Sequence, residues 1–160
     1  MILGIDPGLE NTGWAVIGEN KDKSEVEYKL IDCGVMVTKS NEKSADRLGL
    51  IYDEVEKIIK KYKVEKMAME SLFFAKNAKS ALKVAEAIGV LKVCGQRNEI
   101  EVTEYTPLQV KMALVGYGRA EKEQVETMVR SCLNLDEPIN PSHASDAVAV
   151  ALTDMFTMKL

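Results

Sequence analysis

The sequence predicts an α/β fold, a five-stranded mixed sheet with three antiparallel strands followed by two parallel ones, flanked by helices. Three observations predict it. Three β-rich runs joined by short links open the chain. The spacing of apolar residues then changes from two to three and four, and short apolar strands begin to alternate with helical stretches. A meander followed by βα units joins such elements with short, uncrossed connections.

MILGIDPG is an apolar run stopped by Asp6-Pro7-Gly8, a turn signal. Thr12 to Gly18 is β-rich, and Gly8–Asn11 suits a hairpin link. A third strand covers Glu25 to Thr38, and its EVEYKLI segment alternates as a half-wet strand does. From Ser44 to Tyr62, residues Leu48, Ile51, Tyr52, Val55, Ile58 and Ile59 mark an amphipathic helix. Lys66 to Glu70 is a short buried strand. Ala78 to Arg97 is a second long helix, with Leu82, Ala85, Ile88, Gly89 and Val93 on one side. Glu101 to Tyr105 is the fifth strand. Thr106-Pro107 reads as cap and first-turn proline of a helix ending near Gly116. Glu121 to Leu133 is helical, and Asn140-Pro141 again reads as cap and first-turn proline, opening a last helix from Ser142 to Met158. With no linker, repeat or low-complexity segment, residues 1–160 are expected to form one domain.

Composition narrows the function. No stretch nears the roughly 18 uninterrupted apolar residues of a membrane span, and the start lacks the basic lead and long apolar centre of a signal peptide. A cytosolic protein is expected. Cys33, Cys94 and Cys132 are far apart and odd in number, and His143 is the only histidine, which excludes a structural zinc site. The net charge of −4 runs against nucleic-acid binding, but it is uneven. From Ser71 to Arg130 nine Lys/Arg face seven Glu, so that stretch is +2 and the rest −6. Binding depends on where the positive residues sit.

Four residues carry the candidate chemistry. Asp6 ends the first strand and Glu70 the fourth. His143 and Asp146 lie three apart in the first turn of the last helix, on one face. If the fourth strand runs parallel beside the first, Asp6 and Glu70 meet, and the last helix can bring His143 and Asp146 over them. Three packed carboxylates stay ionised only with a compensating cation. Oxygen-rich sites suit Mg²⁺ or Mn²⁺, and imidazole tolerates Mn²⁺. Each residue alone has a plainer reading as turn former, solvated strand end or helix cap.

GIDPGLENTGWAVI, ESLFFAKNAKSALKVAEAIGVL, TPLQVKMALVGYGRAEKEQV and NPSHASDAVAVALT, in that order, resemble the RuvC family of Holliday-junction resolvases. The resemblance spans nearly the whole chain. It implies a ribonuclease H-like fold, a homodimer, and paired nicking of like-polarity strands of four-way junction DNA. It also implies two Mg²⁺ per subunit, with Mn²⁺ as a substitute, and work beside a RuvA–RuvB branch-migration complex. Asp6, Glu70 and Asp146 match the family's catalytic carboxylates. At His143 some members carry Asp and others His, so metal ligation is implied with one less negative charge. Phe73 matches an aromatic set against a base at the crossover, though neighbouring Phe74 leaves open which ring faces DNA. Lys111 and Lys122 match basic residues near the site, and Lys76 and Lys79 suit phosphate contacts. An ordinary solvated lysine remains the alternative for each.

The small-residue face of the second long helix (Ala81, Ala85, Gly89) suits either a dimer interface or packing within the chain. Within the nucleases, a ribonuclease H-type cutter of RNA–DNA hybrids shares fold and metals, and the FFAKNAKSALK and EKEQV blocks favour the resolvase because they resemble that family's DNA-binding parts. Two other function classes compete. Actin-like and sugar-kinase ATPases also open on Gly-Ile-Asp-x-Gly, but they need two lobes. A junction-binding module with a decayed site would not keep all four metal-competent positions.

Overall fold

The computed structural model describes residues 1–20, 27–72 and 78–157. The chain runs β1 (Ile2–Asp6), β2 (Asn11–Asn20), β3 (Glu27–Val37), α1 (Ser44–Tyr62), β4 (Lys66–Glu70), α2 (Ala78–Arg97), β5 (Glu101–Tyr105), α3 (Pro107–Val115), α4 (Lys122–Leu133) and α5 (Ser142–Thr157). The sheet order is β3-β2-β1-β4-β5. β1–β2 and β2–β3 are antiparallel, whereas β1–β4 and β4–β5 are parallel, as expected. The second strand is longer than expected, reaching back to Asn11 and on to Asn20. The start of the expected third strand, Glu25 and Val26, lies outside the described residues, as does Met158 at the end of the last helix.

Side-chain alternation divides the interior into two cores. Leu3, Ile5, Val16, Met67 and Met69 face α1 and α2, where Ile51, Val55, Ile59, Ile88 and Leu91 meet them. Ile2, Ala15, Ile17 and Ala68 face the other way, onto α5, α3 and α4. Each fully buried aliphatic side chain here contributes about 1.5–3 kcal/mol.

Helix α5 lies directly on this second face because glycines stand beneath it. A Cβ on Gly4 would sit 2.1 Å from the Ala147 carbonyl oxygen, and one on Gly13 would sit 2.0 Å from that of His143. Backbone therefore rests on backbone. From Ala144 to Met155 only Asp146 escapes burial.

Two expectations change. The helix signal at Asn140-Pro141 is shifted: the peptide between them is cis, Pro141 precedes the helix, and its carbonyl accepts the first helical bonds from Ala144 and Ser145. The Leu82–Ala85–Gly89–Val93 side of α2 is the outward one. Leu82 is 66% and Val93 51% exposed, and nothing among the described residues lies within 4 Å of a Cβ on Gly89. Ala81, Ala87, Ile88, Leu91 and Cys94 turn inward instead. With small and apolar residues on both sides of the helix, spacing alone left the inner face undecided.

Candidate active site

β1 and β4 pair in register up to Ile5 opposite Met69, so Asp6 and Glu70 come next, side by side at one end of the sheet. Both share strand parity with the residues facing α5. The turn after Asp6 is tied down. Thr12 donates its hydroxyl to the Gly8 carbonyl at 2.5 Å, and the Thr38 backbone N–H donates to the Glu10 carbonyl at 3.0 Å. The Thr38 hydroxyl donates to the Leu9 carbonyl and accepts from Nε of buried Arg47 at 2.8 Å. Asp6 thus extends from a fixed strand into a fixed turn.

The first turn of α5 comes over these carboxylates. His143 Nδ1 is 2.7 Å from Asp6 Oδ2. Asp6, His143 and Asp146 each present a ligand atom, and these atoms lie within 4.8 Å of one another. Lys122, the first residue of α4, reaches in with Nζ 2.8 Å from Asp146 Oδ2. The start of α4 is fixed beside it, with the Glu121 N–H donating to Gln124 Oε1 at 2.8 Å and the Gln124 N–H to the Glu121 carbonyl at 3.1 Å.

Burial and crowding act on the carboxyls together. Burial pushes Glu70 up to about 7, with Asp6 and then Asp146 adding repulsion and Lys122 opposing. Asp6 is also raised, chiefly by burial and further by Asp146, against the hydrogen bond and charge of His143 and the charge of Lys122. Half-buried carboxyls resisting ionisation are a site short of positive charge. A divalent cation fits that deficit, and two carboxylates with an imidazole at such separations fit its first coordination sphere. Glu70 stands just outside the compact trio, beside it.

Among the described residues, three clefts meet here. One of about 280 Å³ runs between α3, α4 and α5 and includes Glu70, Lys111, Lys122 and Asp146. A second, about 200 Å³, lies between Asp6, Glu70 and the α2 residues Ser80, Ala81 and Val84. The third, about 430 Å³, follows the Pro7–Asn11 turn to Lys83 and His143.

All four expected ligand residues thus converge, with Lys122 among them and Lys111 in the adjoining cleft. Phe73 and Lys76 lie outside the described residues, and so does the side chain of Lys79. Gly4 and Gly13 escaped sequence reasoning, although an isolated glycine inside a strand signals a close backbone approach. Glu126 in the first cleft escaped it too, for want of any motif.

Acidic residues at the carboxyl ends of two adjacent parallel strands, completed by a helix seated on a β3-β2-β1-β4-β5 sheet, define a ribonuclease H-like nuclease. Comparison with known proteins narrows this class. The family profile for crossover junction endodeoxyribonuclease RuvC matches residues 2–154. A protein of that name from Fusobacterium nucleatum is 45% identical over 152 residues, 95% of this chain and 78% of its own. A Thermus thermophilus RuvC structure superposes with a TM-score of 0.91 at 35% identity, covering 99% of this chain and 95% of that one. T. thermophilus RuvC in complex with a Holliday junction substrate gives 0.92 at 36% identity, over 99% and 94%. The chain belongs to the RuvC family of crossover junction endodeoxyribonucleases.

Proposed function

We propose that this protein resolves four-way DNA junctions by paired, metal-dependent nicks in strands of like polarity, using Asp6, Glu70, His143 and Asp146. The observation that carries the reading is the meeting of these four side chains, from three separate elements, in one electropositive-starved corner where clefts converge. Support for the substrate comes from the relative that was solved with a Holliday junction.

Asp6, Glu70, His143 and Asp146 would together hold two Mg²⁺, with Mn²⁺ an acceptable substitute. Bound there, the cations supply a nucleophilic water and neutralise charge on the phosphate oxygens. The protein's own groups do the rest. His143 fixes Asp6 through the 2.7 Å contact, so a ligand oxygen is aimed before any ion arrives. Lys122 and Lys111 take phosphate oxygens, with Phe73, Lys76 and Lys79 assigned to the crossover and backbone. The outward Leu82–Ala85–Gly89–Val93 face of α2 is the natural surface for a second copy, giving a homodimer with two cutting sites. RuvA and RuvB are the proposed partners on family grounds, and the cytoplasm the proposed location. No helix among the described residues is long and apolar enough to cross a membrane.

The test is a labelled synthetic four-way junction incubated with Mg²⁺, Mn²⁺ or chelator. Symmetrical paired nicks with either metal, and none with chelator, are expected. Glu70→Gln should still shift the junction in a gel but not cut it. Nicking by that variant at the unmodified protein's rate would remove Glu70 from the mechanism.

A further inference from the structure

The cleft between α3, α4 and α5 has a composition that metal ligation does not use. Pro107, Val110, Val125 and Ala149 form an apolar wall, and Lys111, Lys122 and Glu126 stand around it. Glu126 makes no ion pair or side-chain hydrogen bond among the described residues, nor does Lys111. At about 280 Å³ the cleft falls just below the roughly 300–1,000 Å³ of drug-sized ligand sites, which suits a single small unit. It opens directly onto Glu70 and Asp146.

A nucleotide is a flat ring with apolar faces, a hydrogen-bonding edge and an anionic phosphate. The cleft offers the complement of each: an aliphatic wall, an acceptor-only carboxylate and two ammonium groups. A base in a duplex has both faces covered by its neighbours, whereas one splayed out of the stack has them free for such a wall. We propose that this cleft receives one unstacked deoxynucleoside unit adjoining the phosphate that is cut, its base laid on Val125, Val110 and Ala149 and its edge read by Glu126. Resting on the nuclease reading above, this makes Glu126 a specificity residue, since a carboxylate accepts from donor edges such as the cytosine amino group and repels carbonyl edges.

Two measurements decide it. In the first, methyl NMR signals of Val110, Val125 and Ala149 are followed, without metal, during titration with a short single-stranded oligonucleotide. Saturable shifts are expected, and a matched oligonucleotide of abasic units should lose them. Equal shifts with both oligonucleotides, or none, would overturn the subsite without touching the nuclease assignment. In the second, junctions carry an abasic unit on either side of the cut. One position should slow nicking about ten-fold, a typical cost of losing one base contact. Val125→Trp, which fills the cleft, should be slowed to a similar degree on normal junctions and no further by the abasic unit. An unchanged abasic penalty in that variant would refute the placement. Should Val125→Trp fail to fold, Glu126→Gln decides alone. It should alter the relative nicking rates among the four bases at that position, and unaltered relative rates would refute base reading by Glu126. Methyl shifts without any nicking by the unmodified protein would instead sink the nuclease reading and leave the subsite standing.

Discussion

Replacing Glu70 by glutamine should stabilise the metal-free protein, even as it removes cutting. Burial, reinforced by Asp6 and Asp146, lifts the Glu70 carboxyl from its ordinary 4.5 to about 7. Between those values the folded protein binds a proton that the unfolded chain has released. Stability is therefore full below about pH 4.5 and falls as pH rises through about 7. The gap is worth at most about 3 kcal/mol by pH 8. Glutamine keeps the shape and carries no charge, so the variant escapes the loss. In a chain of this size each kcal/mol moves Tm by about 2–4 °C, so a gain of up to about 10 °C is expected at pH 8 in chelator. Differential scanning calorimetry from pH 4.5 to 8 should show the two proteins diverging upward through that range. Saturating Mg²⁺ should narrow or invert the gap, because the cation favours the ionised carboxylate. A gap independent of pH, or a variant less stable than the unmodified protein at pH 8 in chelator, would refute the reasoning.

Gly4→Ala places a methyl 2.1 Å from the Ala147 carbonyl oxygen, so α5 must lift. A loss of about 1–3 kcal/mol in urea unfolding is expected, together with weaker Mg²⁺ binding by calorimetry. Asp154, fully buried, accepts from Tyr105 at 2.8 Å and pairs with Lys66 at 3.0 Å. Asp154→Ala leaves the lysine, 14% exposed, with only a 3.7 Å contact to Glu101 among the described residues and should cost about 3–5 kcal/mol in urea unfolding, with Tyr105→Phe costing about 1 kcal/mol. Junction affinity measured against salt should fall linearly on logarithmic axes, and Lys111→Ala should flatten that slope by about one unit.

Strand and helix positions were legible where one periodicity prevailed. α1 shows Ile51, Val55, Ile58 and Ile59 buried at the spacing the sequence displays. Thr106 forms the expected cap, its hydroxyl accepting from Gln109 N–H and Gln109 returning a bond to the Thr106 N–H. Asp6 and Glu70 were legible as neighbours because parity and parallel pairing leave little freedom once strand order is known. α2 was not, since its small residues fit either face. The Lys122–Asp146 pair was also out of reach as a contact: it joins residues 24 apart through the packing of α4 on α5, which no local pattern encodes. The same holds for Glu126, whose place beside the carboxylates depends on that packing alone.

Helix α5 brings two of the four candidate ligands and is also the most enclosed helix of the chain. The site cannot loosen there without disturbing the seat on Gly4 and Gly13. Ion occupancy and resistance to unfolding are consequently one thermodynamic quantity, since an ion held only by the folded chain adds RT ln(1 + [M]/Kd) to its stability. A melting curve recorded across a metal series therefore works as a binding isotherm, with no DNA in the tube.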